Sequence, residues 1–122
     1  MISDQIEDFL DRFSAAWEVG HARAFAALFI EDATFVGCEG RWLRGRDAIE
    51  REHEDLFRGG NSAGMRLRAL NVRALGPAVR LVVTEGGRGQ RQTFTLILQN
   101  GRWVCAAFQN SPVGGAAFSE AS

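Results

Sequence analysis

One histidine on the apolar side of a predicted helix is the side chain in this sequence best suited to proton transfer. The segment from Gly45 to Phe57 predicts about three helical turns, because its apolar residues recur three, four, seven and eight positions apart. His53 falls on that same face, four residues after Ile49 and four before Phe57. The imidazole is therefore expected either to be a hydrogen-bonded core group or to open into a cavity.

The composition argues against several other kinds of catalytic and metal-binding site. All 14 basic residues are Arg, so no lysine is available for a Schiff base, and the absence of Tyr excludes a phenol as acid or oxyanion donor. The segment that starts at His53 begins like HExxH, but Phe57 stands where the second histidine would be. Cys38 and Cys105 lack CxxC spacing and are expected to be free thiols. We therefore predict no metal site and no cofactor.

Net charge and hydropathy limit the partners and the location. The net charge is −1, so nucleic-acid binding has no electrostatic support. No run approaches the roughly 18 apolar residues of a membrane span, and no apolar leader opens the sequence. The expectation is a cytoplasmic protein that binds neither nucleic acid nor membrane. A chain of 122 residues is expected to form one domain.

The elements that must position His53 follow from hydrophobic periodicity. Apolar residues three and four apart predict a first helix over 3–19 and a short second helix over 22–29. A short hairpin within 33–43 precedes the helix of His53. Period-two patterns and turn signals, including an Asn-Gly hairpin turn, predict four longer strands at 65–75, 79–84, 92–99 and 103–110. This order predicts an α+β fold with one curved sheet wrapped on helices.

The last predicted strand is apolar on both faces. A sheet face with no cover of its own commonly meets another chain, so we predict a homodimer through the sheet. Residues 112–122 are small and polar and predict a flexible tail. The folded domain is accordingly placed at residues 1–111.

Five short motifs carry a resemblance to a known fold. They are Trp17 to Gly20, Ala26 to Phe35, Gly45-Arg46 with Ile49, Asn100 to Trp103, and Phe108 to Ser111. With the order of elements, they resemble the nuclear-transport-factor-2-like superfamily, and within it the SnoaL-like proteins of the SgcJ/EcaC type. The resemblance implies a cone-shaped α+β fold, with a curved, mixed, mainly antiparallel sheet wrapped on three N-terminal helices. It leaves function open, because the superfamily includes isomerases, cyclases, dehydratases and non-catalytic domains.

The resemblance also implies a pocket at the wide end of the cone. By position, its ligand-binding residues would be Phe13, Trp17, Phe35, Gly37, Phe57 and Phe108, with Trp42 at the rim. His53 would act as base or acid, and Asn110 would supply an amide donor to an oxyanion. Whether Gln109 or Asn110 faces the pocket stays open, because a bulge would change the strand parity.

Three parts of the steroid-isomerase mechanism in this superfamily are missing here. The place of the catalytic Asp on the first strand falls on Gly37, and the place of the Tyr on the first helix falls on Phe13. The protonated Asp has no counterpart, since Thr93 to Gln99 contains no acid. Steroid isomerisation by that route is therefore not expected.

The leading hypothesis is a pocket for a small hydrophobic, carbonyl-bearing molecule. Catalysis, if it occurs, would be cofactor-free proton transfer by His53 in an isomerisation, cyclisation or dehydration. Two alternatives remain from the sequence: a binding module without turnover, and a dimeric assembly domain that works through its sheet.

Overall fold

The computed structural model of the chain describes residues 4–37, 39–60 and 66–112. Its elements, in order, are α1 (Asp4–Val19), α2 (Ala22–Ala26), β1 (Phe29–Val36), β2 (Trp42–Arg44), α3 (Arg46–Arg58), β3 (Arg68–Gly76), β4 (Val79–Glu85), β5 (Arg91–Gln99) and β6 (Arg102–Ser111). The predicted α+β plan is confirmed. Cys38 and residues 113–122, which hold one expected free thiol and nearly all of the expected tail, lie outside the described residues.

The six strands form one sheet in the order β2-β1-β6-β5-β4-β3. β1 runs parallel to β6, and every other neighbouring pair is antiparallel. The predicted mixed, mainly antiparallel sheet is therefore confirmed. The core lies between the concave face of this sheet and the three helices, and it is built largely from phenylalanine. Within the described residues, no helix is long and apolar enough to cross a membrane.

The helices are held by the features that the sequence suggests. The predicted apolar stripe of α1 is buried, with Ile6, Phe9, Leu10 and Phe13 facing the core. His21 caps α2, because its Nδ1 accepts a hydrogen bond from the Ala24 N–H at 3.1 Å. α3 docks through its apolar face, where Ile49 and His53 are its two fully buried side chains, and Arg46 Nε at its start donates to the Phe29 carbonyl oxygen at 2.9 Å.

The boundary between α2 and β1 differs from the prediction. The helix ends at Ala26 rather than at residue 29, and the strand begins at Phe29 rather than at residue 33. Phe29 pairs with Cys105 of β6, and the register then shifts before Thr34. Because this bulge breaks the period-two pattern at the start of β1, the apolar residues there led to the prediction that α2 continues to residue 29.

A bulge in β6 settles which of its residues face the core. Leu96 pairs with Cys105 and the preceding residue, Thr95, pairs with Ala107, so Ala106 is the extra residue. The inward side therefore changes parity within the strand, from Cys105 before the bulge to Phe108 after it. Both faces of β6 carry apolar residues, and Cys105 lies on the inner one, where it is fully buried.

Candidate functional site

A cavity of about 220 Å³ lies where the C-terminal half of α1, the middle of α3 and the concave face of the sheet meet. Its wall is mainly aromatic and aliphatic, with one imidazole, one amide and three charged side chains. The lining comprises Phe13, Trp17, Phe25, Phe35, Gly37, Glu39, Arg41, Leu43, Glu52, His53, Leu56, Phe108 and Asn110. An apolar wall with few polar groups is the usual composition of a small-molecule site.

Stacked aromatic rings form the floor of the cavity. Phe35 of β1 and Phe108 of β6 are register partners, and their ring centroids lie 4.7 Å apart. Phe13 of α1 contacts Phe108 at 5.4 Å and Phe25 of α2 at 4.9 Å. These contacts tie both helices to the sheet through side chains that also face the cavity. The floor is therefore rigid, because each ring is held by several others.

His53 lies inside this aromatic cluster with only 1% of its surface exposed. Its ring centroid is 4.5 Å from that of Phe25 and 5.0 Å from that of Phe35, and the Trp17 ring meets it edge-on at 5.6 Å. Removal from water disfavours the imidazolium, so burial lowers the pKa of His53 below its ordinary value of 6.5. The Ile49 carbonyl and the Glu52 charge oppose this shift only in part. The ring is therefore neutral at physiological pH.

The hydrogen bond of His53 fixes its tautomer. Nδ1 lies 2.7 Å from the Ile49 carbonyl oxygen, which only accepts, so Nδ1 carries the proton and donates it. Nε2 is left with a free lone pair and has no partner within residues 4–37, 39–60 and 66–112. The ring lines the cavity, so Nε2 is its nitrogen available to a ligand there. A neutral base thus faces an apolar cavity.

Asn110 is placed by a line of polar side chains across three strands. The Thr84 hydroxyl donates to Gln92 Oε1 at 2.7 Å, and Gln92 Nε2 donates to Asn110 Oδ1 at 3.1 Å. Thr84 and Gln92 are buried, whereas Asn110 reaches the cavity. Because Oδ1 accepts from Gln92, the amide nitrogen of Asn110 is the group left to donate to a ligand.

Charged side chains surround the mouth of the cavity. Glu39 and Arg41 come from the connection between β1 and β2, and Glu52 comes from α3. Arg41 Nη1 lies 2.9 Å from Glu52 Oε1. The Arg41 side chain is 67% exposed and that of Glu52 is 25% exposed. This ion pair joins the β1–β2 connection to α3.

Most of the side chains assigned by sequence come together here. Phe13, Trp17, Phe35, Gly37 and Phe108 line the cavity, as do His53 and Asn110, and Gln109 is exposed on the other face. The roles of these residues in ligand binding and catalysis stay predictions, because their positions alone do not test them.

Two assigned residues lie elsewhere. Phe57 packs behind the cavity wall, with its ring 5.2 Å from Trp17, and Leu56 lines the cavity in its place. Trp42 is 57% exposed and stacks under the Arg44 guanidinium at 4.7 Å. Its neighbour Leu43 faces the cavity instead, because side chains alternate along β2. Phe57, assigned to the pocket wall, and Trp42, assigned to its rim, are thus not among the residues that line this cavity, and their part in ligand binding stays a prediction.

The sequence reasoning also missed several lining residues. Strand alternation around Trp42 would have indicated Leu43, and the apolar side of the second helix already contained Phe25. The mouth charges Glu39, Arg41 and Glu52 had no local signal, because their meeting depends on how α3 docks beside the β1–β2 connection.

The other buried titratable group, Cys105, does not reach the cavity. Its Sγ donates to the Ala107 carbonyl oxygen at 3.1 Å, and burial raises the pKa of the thiol far above its usual range. Across the described ranges, no three His, Cys, Asp or Glu side chains are grouped so as to hold a metal ion.

Comparison with solved structures shows the same fold in proteins of distant sequence. A domain of unknown function with a cystatin-like fold from Nostoc punctiforme PCC 73102 superimposes with a TM-score of 0.80 at 20% identity, covering 98% of this chain and 84% of that one. An NTF-2 like protein of unknown function from Shewanella oneidensis MR-1 gives 0.78 at 16% identity, covering 92% and 100%. A ketosteroid isomerase-like protein from Erwinia carotovora atroseptica SCRI1043 gives 0.74 at 17% identity, covering 90% and 95%.

No curated protein matches this sequence. The family model of the SnoaL-like domain matches residues 6–114, which is nearly the whole chain. With the fold shared by the structures above, this match confirms the resemblance seen in the sequence motifs. The chain therefore belongs to the SnoaL-like domain family, and it shares its fold with an NTF-2 like protein.

Proposed function

We propose that the protein binds a small, mainly apolar carbonyl compound in the cavity and that His53 moves a proton next to that carbonyl. The observation that carries the proposal is the state of the imidazole. Its Nδ1 proton is held by the Ile49 carbonyl, and its unprotonated Nε2 opens into the cavity. A neutral base in an apolar surrounding is the arrangement that proton abstraction requires at neutral pH.

The chemical step uses only groups of this chain and the ligand. The Nε2 lone pair takes a proton from the carbon next to the carbonyl, and the C–H electron pair forms a carbon–carbon double bond. The carbonyl π electrons move to oxygen, where the Asn110 amide N–H stabilises the enolate. In a ligand with a double bond beside that carbon, the imidazolium returns the proton to the far carbon of the dienolate, the carbonyl re-forms and the double bond has shifted. In a ligand with a hydroxyl on the β carbon, the imidazolium protonates the leaving hydroxyl, the carbonyl re-forms and water is released. No cofactor takes part in this proposed step.

Exchange of ligand protons with solvent tests the step directly. We would follow deuterium incorporation into 2-tetralone, a cyclic ketone with acidic α protons, by NMR in deuterated buffer. The wild-type protein is expected to accelerate exchange, and His53→Gln is expected to slow it by about 10²- to 10⁴-fold. The matched control is His21→Gln, because His21 caps α2 outside the cavity. Equal exchange by wild type and His53→Gln contradicts the proposal.

A cavity-filling variant separates binding from catalysis. A Cβ added at Gly37 would meet only the Phe35 ring, at 3.9 Å, so Gly37→Leu is expected to fold and place its side chain in the cavity. If the wild type binds the ligand without accelerating proton exchange, and Gly37→Leu abolishes that binding, the alternative of a binding module without turnover is favoured. Binding that survives in Gly37→Leu would place the ligand elsewhere and contradict the proposal.

We also propose that the protein forms a homodimer through the outer face of its sheet. Val82, Phe94 and Leu96 are buried against the helices, so their strand neighbours Leu81 and Ile97 face the opposite side. Those neighbours are only half-buried, and Val104 and Ala107 of β6 continue the apolar surface. The surface spans three neighbouring strands, β4, β5 and β6.

Sedimentation equilibrium tests the dimer. Ala107→Arg inserts a charge into the centre of the outer face and is expected to weaken association by at least about tenfold. Ala15→Arg on the exposed side of α1 is the matched control and is expected to leave association unchanged. A wild-type monomer at micromolar concentration contradicts the dimer. The cytoplasmic location and the absence of nucleic-acid and membrane partners stay predictions from the sequence.

A further inference from the structure

Three formal charges line the cavity, and all of them belong to the mouth. Glu39 and Arg41 are exposed on the β1–β2 connection, and Glu52 lies on the adjacent turn of α3. Arg41 is the cation of the group, and its Nη1 lies 2.9 Å from Glu52 Oε1. Two carboxylates and one guanidinium leave the mouth with a net charge of −1.

Among the residues that the structure describes, the interior of the cavity offers no charge to receive an anion. His53 is neutral because of its burial, and its Nε2 is an acceptor that repels a carboxylate oxygen. Asn110 contributes an uncharged amide. A carboxylate that entered the cavity would lose its hydration without gaining a charged partner, which is costly in an apolar wall.

The polar atoms that do face the cavity fit uncharged groups. Nε2 of His53 accepts, and the amide nitrogen of Asn110 donates. A hydroxyl or enol matches the first atom and a carbonyl oxygen matches the second, while the phenylalanine floor accepts an apolar ring.

We propose that this cavity selects uncharged hydroxyl- or carbonyl-bearing ligands over carboxylates, and that the Arg41–Glu52 ion pair sets the preference. Glu52 forms an ion pair with the guanidinium of Arg41, which would otherwise be free to bind an anionic ligand at the mouth. Arg41 and Glu52 thus act as specificity residues rather than as parts of the proton-transfer step. The inference rests on the proposed binding function, whose ligand class it narrows.

Removal of Glu52 is expected to change ligand preference rather than stability. In Glu52→Gln the mouth becomes neutral overall, and Arg41 is released for an incoming carboxylate. In Arg41→Gln the mouth carries two uncompensated carboxylates, so rejection of anions is expected to strengthen. The two substitutions therefore move the preference in opposite directions, which a general loss of structure does not do.

The test uses two ligands of the same shape and different charge. 2-Acetylnaphthalene and 2-naphthoate differ by a methyl group in place of a carboxylate oxygen, and their dissociation constants are measured by NMR titration at low salt. Wild type is expected to bind the ketone at least about tenfold more tightly. Glu52→Gln is expected to reduce that ratio by about tenfold, by strengthening naphthoate binding. Glu54→Gln, on the solvent side of the same helix, is the control and is expected to keep the wild-type ratio.

The outcomes separate this inference from the proposed function. Equal binding of both ligands by wild type, or an unchanged ratio in Glu52→Gln, overturns the role of the ion pair and leaves the binding function standing. Binding of neither ligand by any variant overturns both. If the preference for the ketone over naphthoate falls equally in Glu52→Gln and Glu54→Gln, the change reflects the overall charge of the protein. That result overturns the proposal that Arg41 and Glu52 set the ligand preference.

Discussion

The two ends of the core are built from the same kinds of residue but differ in how completely they are filled. At one end, the N-terminal half of α1 meets Leu96 and Cys105, and Trp103 Nε1 donates to Gln5 at 2.9 Å. The groove beside Gln5 and Trp103 is open and lined mainly by polar and charged side chains, whereas the 220 Å³ cavity at the other end, beside Trp17, is lined mainly by apolar ones. We call these the closed end and the open end. The closed end stabilises the fold, whereas the open end keeps room for a ligand.

The two buried titratable side chains show what this difference means for chemistry. Cys105 at the closed end donates its thiol hydrogen to Ala107, and burial raises its pKa, so it stays protonated and inert. His53 at the open end is as deeply buried, yet its second nitrogen meets a cavity. Burial by itself therefore does not indicate a functional group; unfilled space beside a polar atom does.

The largest expected effect comes from a truncation at the closed end. Leu96 is fully buried between strand neighbours and helices. Leu96→Ala is expected to reduce the free energy of unfolding by about 3–5 kcal/mol, because it leaves a cavity in a filled region. Urea denaturation measures the change. A loss below about 1 kcal/mol would show that the closed end is not tightly filled.

A smaller loss is expected in the line of polar side chains that ends at the cavity. Gln92 is buried and bonded on both sides, to Thr84 and to Asn110. Gln92→Leu removes both bonds and leaves the Thr84 hydroxyl without its acceptor, at a cost of about 1–3 kcal/mol in unfolding free energy. Gln99→Leu, exposed near the end of the same strand, is the control for denaturation experiments. Equal stability of the two variants would contradict a structural role for this polar line.

The pH dependence of the free energy of unfolding tests whether burial at the open end keeps His53 neutral. The pKa of His53 in the folded protein lies below its ordinary value of 6.5, so the unfolded chain binds the proton more tightly. The stability that neutral His53 contributes is complete above about pH 6.5 and is lost as the pH falls. The free energy of unfolding then decreases by at most about 1.4 kcal/mol per pH unit from this group.

Urea denaturation at about pH 7.5 and about pH 5.5 measures this effect. His53→Gln is expected to lose the His53 part of the dependence, whereas His21→Gln is expected to keep it. The comparison isolates His53 because His21 is the other histidine of the sequence. Identical slopes for wild type and His53→Gln would show that the ring is not held neutral by burial.

The smallest effect is expected from the same leucine truncation at the open end. Leu56 lines the cavity and is only half-buried, so Leu56→Ala enlarges space that already exists. Its cost in unfolding free energy is expected to stay below about 1 kcal/mol, because the transfer term is small where water already reaches the side chain. A loss equal to that of Leu96→Ala would remove the distinction between the two ends.

The amino-acid sequence by itself determined the fold and the face of α3 that carries His53. Periodicity located the helices and the four long strands, and short motifs identified the family, because these signals are local in the chain. The same local signals placed the β1 boundary wrongly, since the bulge that shifts it depends on pairing with β6.

The tertiary structure decided which polar atoms meet in the cavity. The extra residue at Ala106 turns Asn110 inward, and it is defined only by pairing with β5. The docking angle of α3 places Leu56 rather than Phe57 on the cavity wall and brings Glu52 to Arg41, more than ten residues away in sequence. Helical and strand periods fix the face of one element, but contacts between elements depend on long-range register and packing, which no local pattern encodes.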